Sequence, residues 1–230
     1  MINKGYNFYL LILPKFIPKM KKKYVWMVIH ILGIILIAID KLFIEKKNSV
    51  VPEGPKQQAL AVSKNSAAFN ESFEKLLNSY FSLKDGLADY DTAKANAAAK
   101  EMIVFADSLK TSEIKGDSTG DIRKTAENFT GTISGSAKGL RGEPDLIKKK
   151  REFQMISEAL YNLVRTVRYD KQKLYHQHCP MAFNDEEEAW WISNTNKIDN
   201  PYLGRKHPKY KAAMETCGDI TDSLDFSKPK

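Results

Sequence analysis

The sequence predicts a mainly α-helical protein, with an up-down four-helix bundle and a small C-terminal irregular or β module. An N-terminal transmembrane or signal segment precedes the bundle. Three observations predict this fold class. Apolar residues recur at three- and four-residue spacing between residues 66 and 170, as they do on buried helix faces. That period stops after Tyr169, where turn-forming residues become frequent. Near the N-terminus, a lysine cluster precedes a continuous apolar run.

The N-terminal segment has the composition of an export signal. Three lysines, 21–23, precede an apolar run of about fifteen residues, 25–39. Residues 42–44 extend this run if the charged side chains of Asp40 and Lys41 snorkel to the membrane interface. We therefore predict a basic cytoplasmic N-terminus over residues 1–24 and a signal-anchor helix over residues 25–44. Lysines on the N-terminal flank favour keeping that end in the cytoplasm, so we expect the body of the protein to be exported and anchored to the membrane through residues 25–44.

Two other interpretations of this segment stay open. A cleaved signal peptide would release the exported body instead of anchoring it. A buried core helix is the plainer alternative, which the lysine cluster disfavours.

Met20 directly precedes that cluster and would itself make a normal signal start, so we hypothesise that Met20 is the true initiator.

The charge distribution argues against a nucleic-acid partner. The net charge is +8, but residues 1–47 hold nine lysines and only two acidic residues. The rest of the chain is nearly neutral, with 27 basic and 26 acidic residues, so we expect no concentrated basic face on the folded domain. We expect no binding to nucleic acid.

Residues 45–65, rich in Lys, Pro, Gly, Ser and Gln, are predicted to be a linker.

Four amphipathic helices are predicted over residues 66–170. The inward residues are Phe69, Phe73, Leu76, Leu77, Tyr80, Phe81 and Leu87 in the first helix; Ala98, Met102, Phe105 and Leu109 in the second; Ile122, Ala126, Phe129, Ile133 and Leu140 in the third; and Phe153, Ile156, Leu160, Leu163 and Val167 in the fourth. Asp91 is the expected N-cap of the second helix, and Pro144 is expected in the first turn of the fourth. Short connections between the helices imply antiparallel neighbours, hence the bundle.

The third helix contains three glycines at four-residue spacing, Gly131, Gly135 and Gly139. Each costs about 1 kcal/mol of helix stability relative to alanine. One interpretation is that they line one face and let a neighbouring helix approach closely. The other is that this segment is short, frayed or partly loop.

Residues 171–220 form a separate module, followed by a tail over residues 221–230. The segment Ala189–Ser193 is a predicted strand, and residues 194–201 and 204–208 are rich in turn formers. A module of about fifty residues with little regular structure needs extra fastening. A metal ion, a disulfide or docking on the bundle could supply it.

The chemistry of the chain is concentrated in this module. Both cysteines, two of the four histidines and two of the seven methionines lie in two short segments, 175–181 and 214–218. The candidate ligands are Cys179, Met181, Cys217, Met214, His178 and His176. Thiolate, thioether and imidazole together suit a soft or borderline ion such as copper or zinc. We expect the two cysteines to approach each other, because the intervening chain doubles back.

A disulfide is the competing interpretation of the two cysteines. Two cysteines in an exported domain often pair, and Cys179 and Cys217 would then only staple the module, with no metal bound. Other residues give weaker signals: His207 lies in a basic loop and is expected to be solvent-exposed. No glycine-rich phosphate loop, Cys-x-x-Cys pair or haem-attachment motif is present, so we expect no enzymatic activity.

Several motifs resemble a family of bacterial periplasmic domains. The resembling segments are Leu174–Ala182, Ala189–Ser193, Ile198–Gly204 and Met214–Gly218, together with parts of the helical region from about residue 66 onward. This family is an uncharacterised domain, often fused to CusB-type membrane-fusion adaptors of copper and heavy-metal efflux pumps. Two departures stand out: residues 205–213 are an insertion here, and the third helix has glycine and serine where relatives carry histidine and tryptophan.

The resemblance implies a metal-linked role, with copper, in particular Cu(I), as the expected ion. It implies a chaperone, sensor or buffer working near an efflux system, with a membrane-fusion adaptor as the expected protein partner. The departures in the third helix leave the bundle without an expected ligand.

Overall fold

The computed structural model describes residues 65–227 of the chain. In chain order, the elements are α1 (Ala67–Ala88), α2 (Thr92–Asp107), a short 3-10 helix (Thr111–Glu113), α3 (Asp121–Gly142), α4 (Leu146–Val167), β1 (Leu174–Phe183), β2 (Glu187–Ser193) and β3 (Asp219–Leu224). The predicted basic N-terminus, signal-anchor and nearly all of the linker lie outside the described residues. Among the helices described, none has the length and apolar character needed to cross a membrane.

Three of the helices begin at a capping side chain. Oxygens of Ser66, Asp91 and Asp145 accept a hydrogen bond from the backbone N–H three residues later, at 3.1, 2.9 and 2.9 Å. Each cap pairs an N–H that has no partner inside the helix. The predicted cap at Asp91 is confirmed. Pro144 does not lie in the first turn of α4, because Asp145 caps a helix that begins at Leu146.

The core of the helical part follows the predicted apolar stripes. Buried residues include Phe69, Phe73, Leu76, Leu77, Tyr80 and Leu87 of α1, Ala98 and Met102 of α2, Ile122, Ala126, Ile133 and Leu140 of α3, and Phe153, Ile156, Leu160, Leu163 and Val167 of α4. Successive helices pack side by side. The first helix also contacts the last, since the ring of Tyr80 stacks on Phe153 with centroids 5.2 Å apart. The predicted helical bundle is confirmed.

The glycine-rich segment forms a full helix, and two of its three regularly spaced glycines do not serve helix packing. A Cβ added to Gly131 or Gly135 would meet no atom within 4 Å, and both residues are exposed. Only Gly139 is close to a neighbour, where an added Cβ would lie 3.0 Å from the Glu152 side chain. Neither predicted interpretation therefore describes α3: the helix is complete, and no close helix–helix approach depends on Gly131 or Gly135.

The C-terminal module is more regular than predicted. Its three strands form an antiparallel sheet in the order β2-β1-β3. The predicted strand Ala189–Ser193 is confirmed as part of β2. The central strand β1 was not predicted, because Pro180 and its mixed polar residues hide the alternation typical of a strand. The third strand, Asp219–Leu224, crosses the predicted boundary between the module, which ends at residue 220, and the tail.

The outer edge of β2 is covered by two tyrosines. The Tyr80 hydroxyl, on α1, accepts a hydrogen bond from the Ile192 N–H at 2.9 Å. The Tyr202 hydroxyl donates to the Trp190 carbonyl at 2.6 Å. A strand edge left open would expose unpaired backbone groups, so these contacts close the sheet on this side. The bond to Tyr80 also fixes the sheet to the bundle. Docking on the bundle is one of the three ways of holding the module that the sequence allows.

Candidate functional site

The two cysteines meet between the sheet and the loop that precedes β3. Cys179 lies in the central strand and is 0% exposed, whereas Cys217 is only partly buried. Their sulfur atoms are 3.7 Å apart. That distance is van der Waals contact between two thiols, well beyond the S–S bond of about 2.03–2.05 Å in a disulfide. The predicted approach of the two cysteines is confirmed.

Cys217 is brought to Cys179 by a turn that one buried side chain holds in place. The Cys217 N–H donates to the Met214 carbonyl at 3.1 Å, which closes the turn. The side-chain amide of Asn200 donates to the Cys217 carbonyl at 2.8 Å, and the Asn200 N–H donates to the Glu215 carbonyl at 2.8 Å. Asn200 therefore hydrogen-bonds to the turn both before and after residue 216, at the carbonyls of Glu215 and Cys217.

The same asparagine also organises its own loop. Its Oδ1 accepts hydrogen bonds from the N–H groups of Tyr202 and Leu203, at 2.8 and 3.0 Å. Asn200 is fully buried, so these bonds are made away from water. A buried polar group keeps its place only when it is paired, and here a single side chain pairs three backbone groups. The Asn-Pro-Tyr motif is thus a positioning element for Cys217.

Two motif glycines are required by close backbone contacts. Gly218 has φ +136°, and a Cβ there would overlap the carbonyl oxygen of His178. Gly204 has φ +62°, and a Cβ there would overlap the carbonyl oxygen of Ala88 at the end of α1. Both backbone conformations favour glycine. Gly218 lets the chain leave Cys217 directly alongside β1, so it helps to define the distance between the sulfurs.

A cluster of charges anchors the same loop to the bundle. The guanidinium of Arg205 lies 2.8 Å from the Asp89 carboxylate and 2.7 Å from that of Asp199. Lys84 of α1 lies 2.7 Å from Asp199 as well. The Arg205 N–H donates to the Ala88 carbonyl at 2.7 Å. The segment after Asn200 is therefore tied to the C-terminal end of α1.

Burial makes the Cys217 thiol a weak acid. Removal from water, and then the neighbouring Cys179, raise the pKa of Cys217 to about 11. A thiolate is the form that binds metal, so an ion that binds here must displace at least the Cys217 proton. The Cys217 thiol is therefore protonated at neutral pH.

His178 lies apart from the thiols and has partners of its own. Adjacent residues of a strand point to opposite faces, so His178 and Cys179 diverge. The ring nitrogens of His178 lie 2.9 Å from Asp219 and 3.1 Å from Glu188, and the ring stacks on Trp190. An imidazole hydrogen-bonded to two carboxylates has no free nitrogen for a metal ion. The structure does not bring this predicted ligand to the cysteines.

His176 is likewise engaged by partners other than the cysteines. Its Nδ1 lies 3.0 Å from the Thr221 hydroxyl, and its ring stacks on Tyr161 of α4 with centroids 4.0 Å apart. Burial lowers the pKa of His176 to about 4, so the ring is neutral at pH 7. In the part of the chain that the structure describes, no three His, Cys, Asp or Glu side chains converge as metal ligands.

The two predicted thioethers occupy different places. Met214 is partly buried, in the turn that presents Cys217. Met181 lines a cavity between α4 and the loop after β2, and the β1–β2 register is irregular between Cys179 and Phe183. Of the six predicted ligands, the structure brings two together as a pair, the cysteines, with Met214 at the start of the same turn.

Sequence reasoning missed the residues that hold these groups in place. Asn200 looked like an ordinary turn former, although an asparagine between an aspartate and a proline is a common place for backbone-binding side chains. Asp219 and Glu188, the partners of His178, gave no signal, because their proximity depends on the unpredicted register of β1. Only knowledge of the sheet could have identified them.

Comparison with known proteins adds one finding. Residues 76–172 match the model of a family described as "Protein of unknown function (DUF3347)". The match spans less than half of the chain and covers the bundle from within α1 to the residues just before β1. Comparisons with curated proteins and with solved structures give no match.

This similarity concerns the scaffold. The matched residues end at Gln172, so they include neither cysteine and none of the other four predicted ligands. The helical part is similar to an uncharacterised domain family, and that family carries no assigned activity. The chemistry of the cysteine site has to be argued from its own geometry.

Proposed function

We propose that this is a periplasmic metal-binding protein whose Cys179–Cys217 thiol pair binds copper as Cu(I). The observation that supports the proposal is the 3.7 Å separation of the two sulfurs. Two sulfurs each at about 2.3 Å from one ion, a typical metal–thiolate distance, would subtend an angle of about 107° at that separation. One ion therefore fits between them with little movement of either side chain.

The type of donor favours a soft ion. Thiolates and thioethers select Cu(I), whereas structural zinc takes four ligands, usually cysteine and histidine. Both histidines of β1 are engaged elsewhere, which leaves a two-thiol site with Met214 in the adjoining turn. Met181 is the other thioether of the proposed set. Partial exposure of Cys217 provides the route by which an ion reaches the buried Cys179.

The biological setting is part of the proposal. The resemblance of the C-terminal motifs to efflux-associated domains suggests a chaperone, sensor or buffer for copper, working beside a membrane-fusion adaptor. The lysine-flanked apolar segment suggests anchoring in the inner membrane, with the body in the periplasm. A reporter fused after Lys47 should be active only if it works outside the cytoplasm, and activity of a cytoplasmic reporter would contradict this location.

The same geometry supports a second candidate function, a structural domain held by a disulfide. The two thiols are already in contact, so an oxidant that takes up two electrons and two protons could join them. The sulfurs lie 3.7 Å apart, well beyond the length of an S–S bond, and both cysteines are free, so we place this function second.

Competition for Cu(I) separates the two candidates. The full-length protein, in non-ionic detergent and under reductant, is titrated against a chromogenic Cu(I) chelator, and free thiols are counted before and after. We expect two titratable thiols that become unreactive with one Cu(I). Cys179→Ser should weaken binding at least a hundredfold, and Met214→Leu and Met181→Leu should weaken it less while leaving the fold intact.

The controls use groups that have no role in the proposed site. Met155→Leu, at an exposed methionine of α4, and His207→Ala should leave Cu(I) affinity unchanged. Affinity should rise with pH between 6 and 9, because binding releases the Cys217 proton. If Cys179→Ser binds Cu(I) as tightly as the wild type, the proposed site is wrong. An S–S bond that persists in every preparation without added oxidant would support the structural function instead.

A further inference from the structure

A separate cavity lies between the first turns of α4, the β1–β2 turn and the loop after β2. Its volume is about 350 Å³, within the range of small-molecule sites. Aromatic and apolar side chains line most of it, among them Tyr90, Ile147, Met181, Phe183 and Tyr202. Neither cysteine belongs to its wall, although Met181, the second thioether of the proposed copper set, does. The ligand tests below therefore use copper-free protein.

A lysine ammonium without an acidic partner faces this cavity. Lys150 is only 3% exposed and lines the wall. Its Nζ donates to the Tyr202 carbonyl at 2.6 Å and lies 3.7 Å from the centroid of the Tyr90 ring. No carboxylate in the described part of the chain pairs with it. Since an ammonium has three donors, Lys150 keeps hydrogen-bonding capacity for a ligand.

A histidine supplies a second donor at the same wall. His207 lines the cavity and is only partly exposed, contrary to the solvent exposure expected from its basic loop. Its Nδ1 accepts hydrogen bonds from the N–H groups of Lys209 and Tyr210, each at 3.2 Å. That nitrogen therefore carries no proton, and the Nε2 carries one and can donate it.

The acidic residues at the cavity are already engaged. The Asp145 carboxylate caps α4 through the Lys148 N–H, and the Asp185 carboxylate is paired with Lys209. These partners reduce the negative charge that a ligand would meet. Asp145 has no cationic partner in the described part of the chain but is exposed to water, and Lys150 and His207 are the hydrogen-bond donors set among the aromatic rings.

We propose that this cavity binds a small aromatic carboxylate. The carboxylate of the ligand accepts hydrogen bonds from the Lys150 ammonium and from the His207 Nε2–H, and its ring packs against the rings of Tyr90 and Phe183. A buried cation that lacks a counter-ion gains more from a carboxylate than from a neutral group. The apolar walls exclude water and favour a ligand with an aromatic body.

Binding of such a ligand must be linked to protonation of Lys150. Burial lowers the pKa of Lys150 to about 7, and a bound carboxylate opposes that effect. Above pH 7, the ligand therefore binds with uptake of a proton, and its affinity should fall by up to tenfold per pH unit. The pKa of His207 is lowered by burial and by Lys150, so His207 stays neutral over this range.

Titration calorimetry with benzoate tests the proposal. The copper-free, full-length protein in non-ionic detergent is titrated at pH 6.5, 7.5 and 8.5, with benzamide as the neutral ligand of the same shape. We expect benzoate to bind at least tenfold more tightly than benzamide at pH 6.5, and to lose affinity as the pH rises. Lys150→Met should remove the preference for benzoate. Lys148→Met, at the exposed neighbouring lysine, should preserve it.

The wild-type measurements alone can overturn the proposal, so it does not depend on the folding of a variant. Absence of benzoate binding, equal affinity for benzamide, or an affinity independent of pH would each contradict it. Unchanged benzoate affinity in a folded Lys150→Met protein would place the ligand elsewhere. Because no copper is present, these outcomes are independent of the thiol site.

Discussion

The bundle and the C-terminal module are held together in different ways. In the bundle, many buried apolar side chains together provide the stability, and each position requires only an apolar residue of suitable size. In the module, a few residues each make contacts that no other residue type could replace. Asn200 pairs three backbone groups, and Gly218 passes against the carbonyl of His178. The difference indicates that a substitution should be tolerated in the bundle and costly beside the thiol pair.

The largest effect is expected from Gly218→Ala. The new Cβ would overlap the His178 carbonyl, and φ +136° strains any other residue, so we expect a loss of about 3 kcal/mol in the free energy of unfolding. The Cys217 turn should also move, which would lower Cu(I) affinity. Chemical denaturation and chelator competition on the full-length protein measure both effects. A variant as stable as the wild type would show that the close contact is not needed.

A smaller but still large effect is expected from Asn200→Ala. The change leaves the Cys217 carbonyl and the N–H groups of Tyr202 and Leu203 without their partner in a buried place, at a cost of about 2–4 kcal/mol. Asn162→Ala, at an exposed asparagine of α4, is the matched control and should change stability by no more than about 0.5 kcal/mol. Equal effects of the two substitutions would remove the contrast between bundle and module.

The smallest effect should have the opposite sign. Gly131→Ala and Gly135→Ala place a methyl group where nothing lies within 4 Å, in a helix interior that glycine weakens. Each should stabilise the protein by up to about 1 kcal/mol. Thermal unfolding measures the change, and the same glycine-to-alanine substitution at residue 218 provides the comparison. Destabilisation by either α3 substitution would mean that this helix face has a partner.

The bundle could be predicted well from the sequence because the apolar spacing of each helix repeats over several turns. The stripe from Phe153 to Val167 identifies a buried face several times over, so one ambiguous residue does not change the result. The same rhythm, continued backwards from Phe153, reaches Lys150 and should have identified it as buried. Lysine is rarely buried without a partner, and Lys150 belongs to a run of four basic residues, 148–151, a composition typical of an exposed surface.

The site was predicted only in part, because its residues depend on register. The chain reversal that brings Cys217 to Cys179 could be inferred from the turn-rich segment between them. The separation of His178 from Cys179 could not, since it follows from the alternation of a strand that was not predicted. His178 and Cys179 were predicted to share a site because they are adjacent in sequence. The alternation of side chains along β1 places them on opposite faces.

The most direct test of the central claim is X-ray absorption at the copper edge of the Cu(I)-loaded, full-length protein. We predict that the nearest scatterers are two sulfur atoms at about 2.3 Å, with any further donor also being sulfur. Cys217→Ser should remove one of the two sulfurs. A first shell dominated by nitrogen at about 2.0 Å would instead assign copper to the histidines and contradict a thiol site at Cys179 and Cys217.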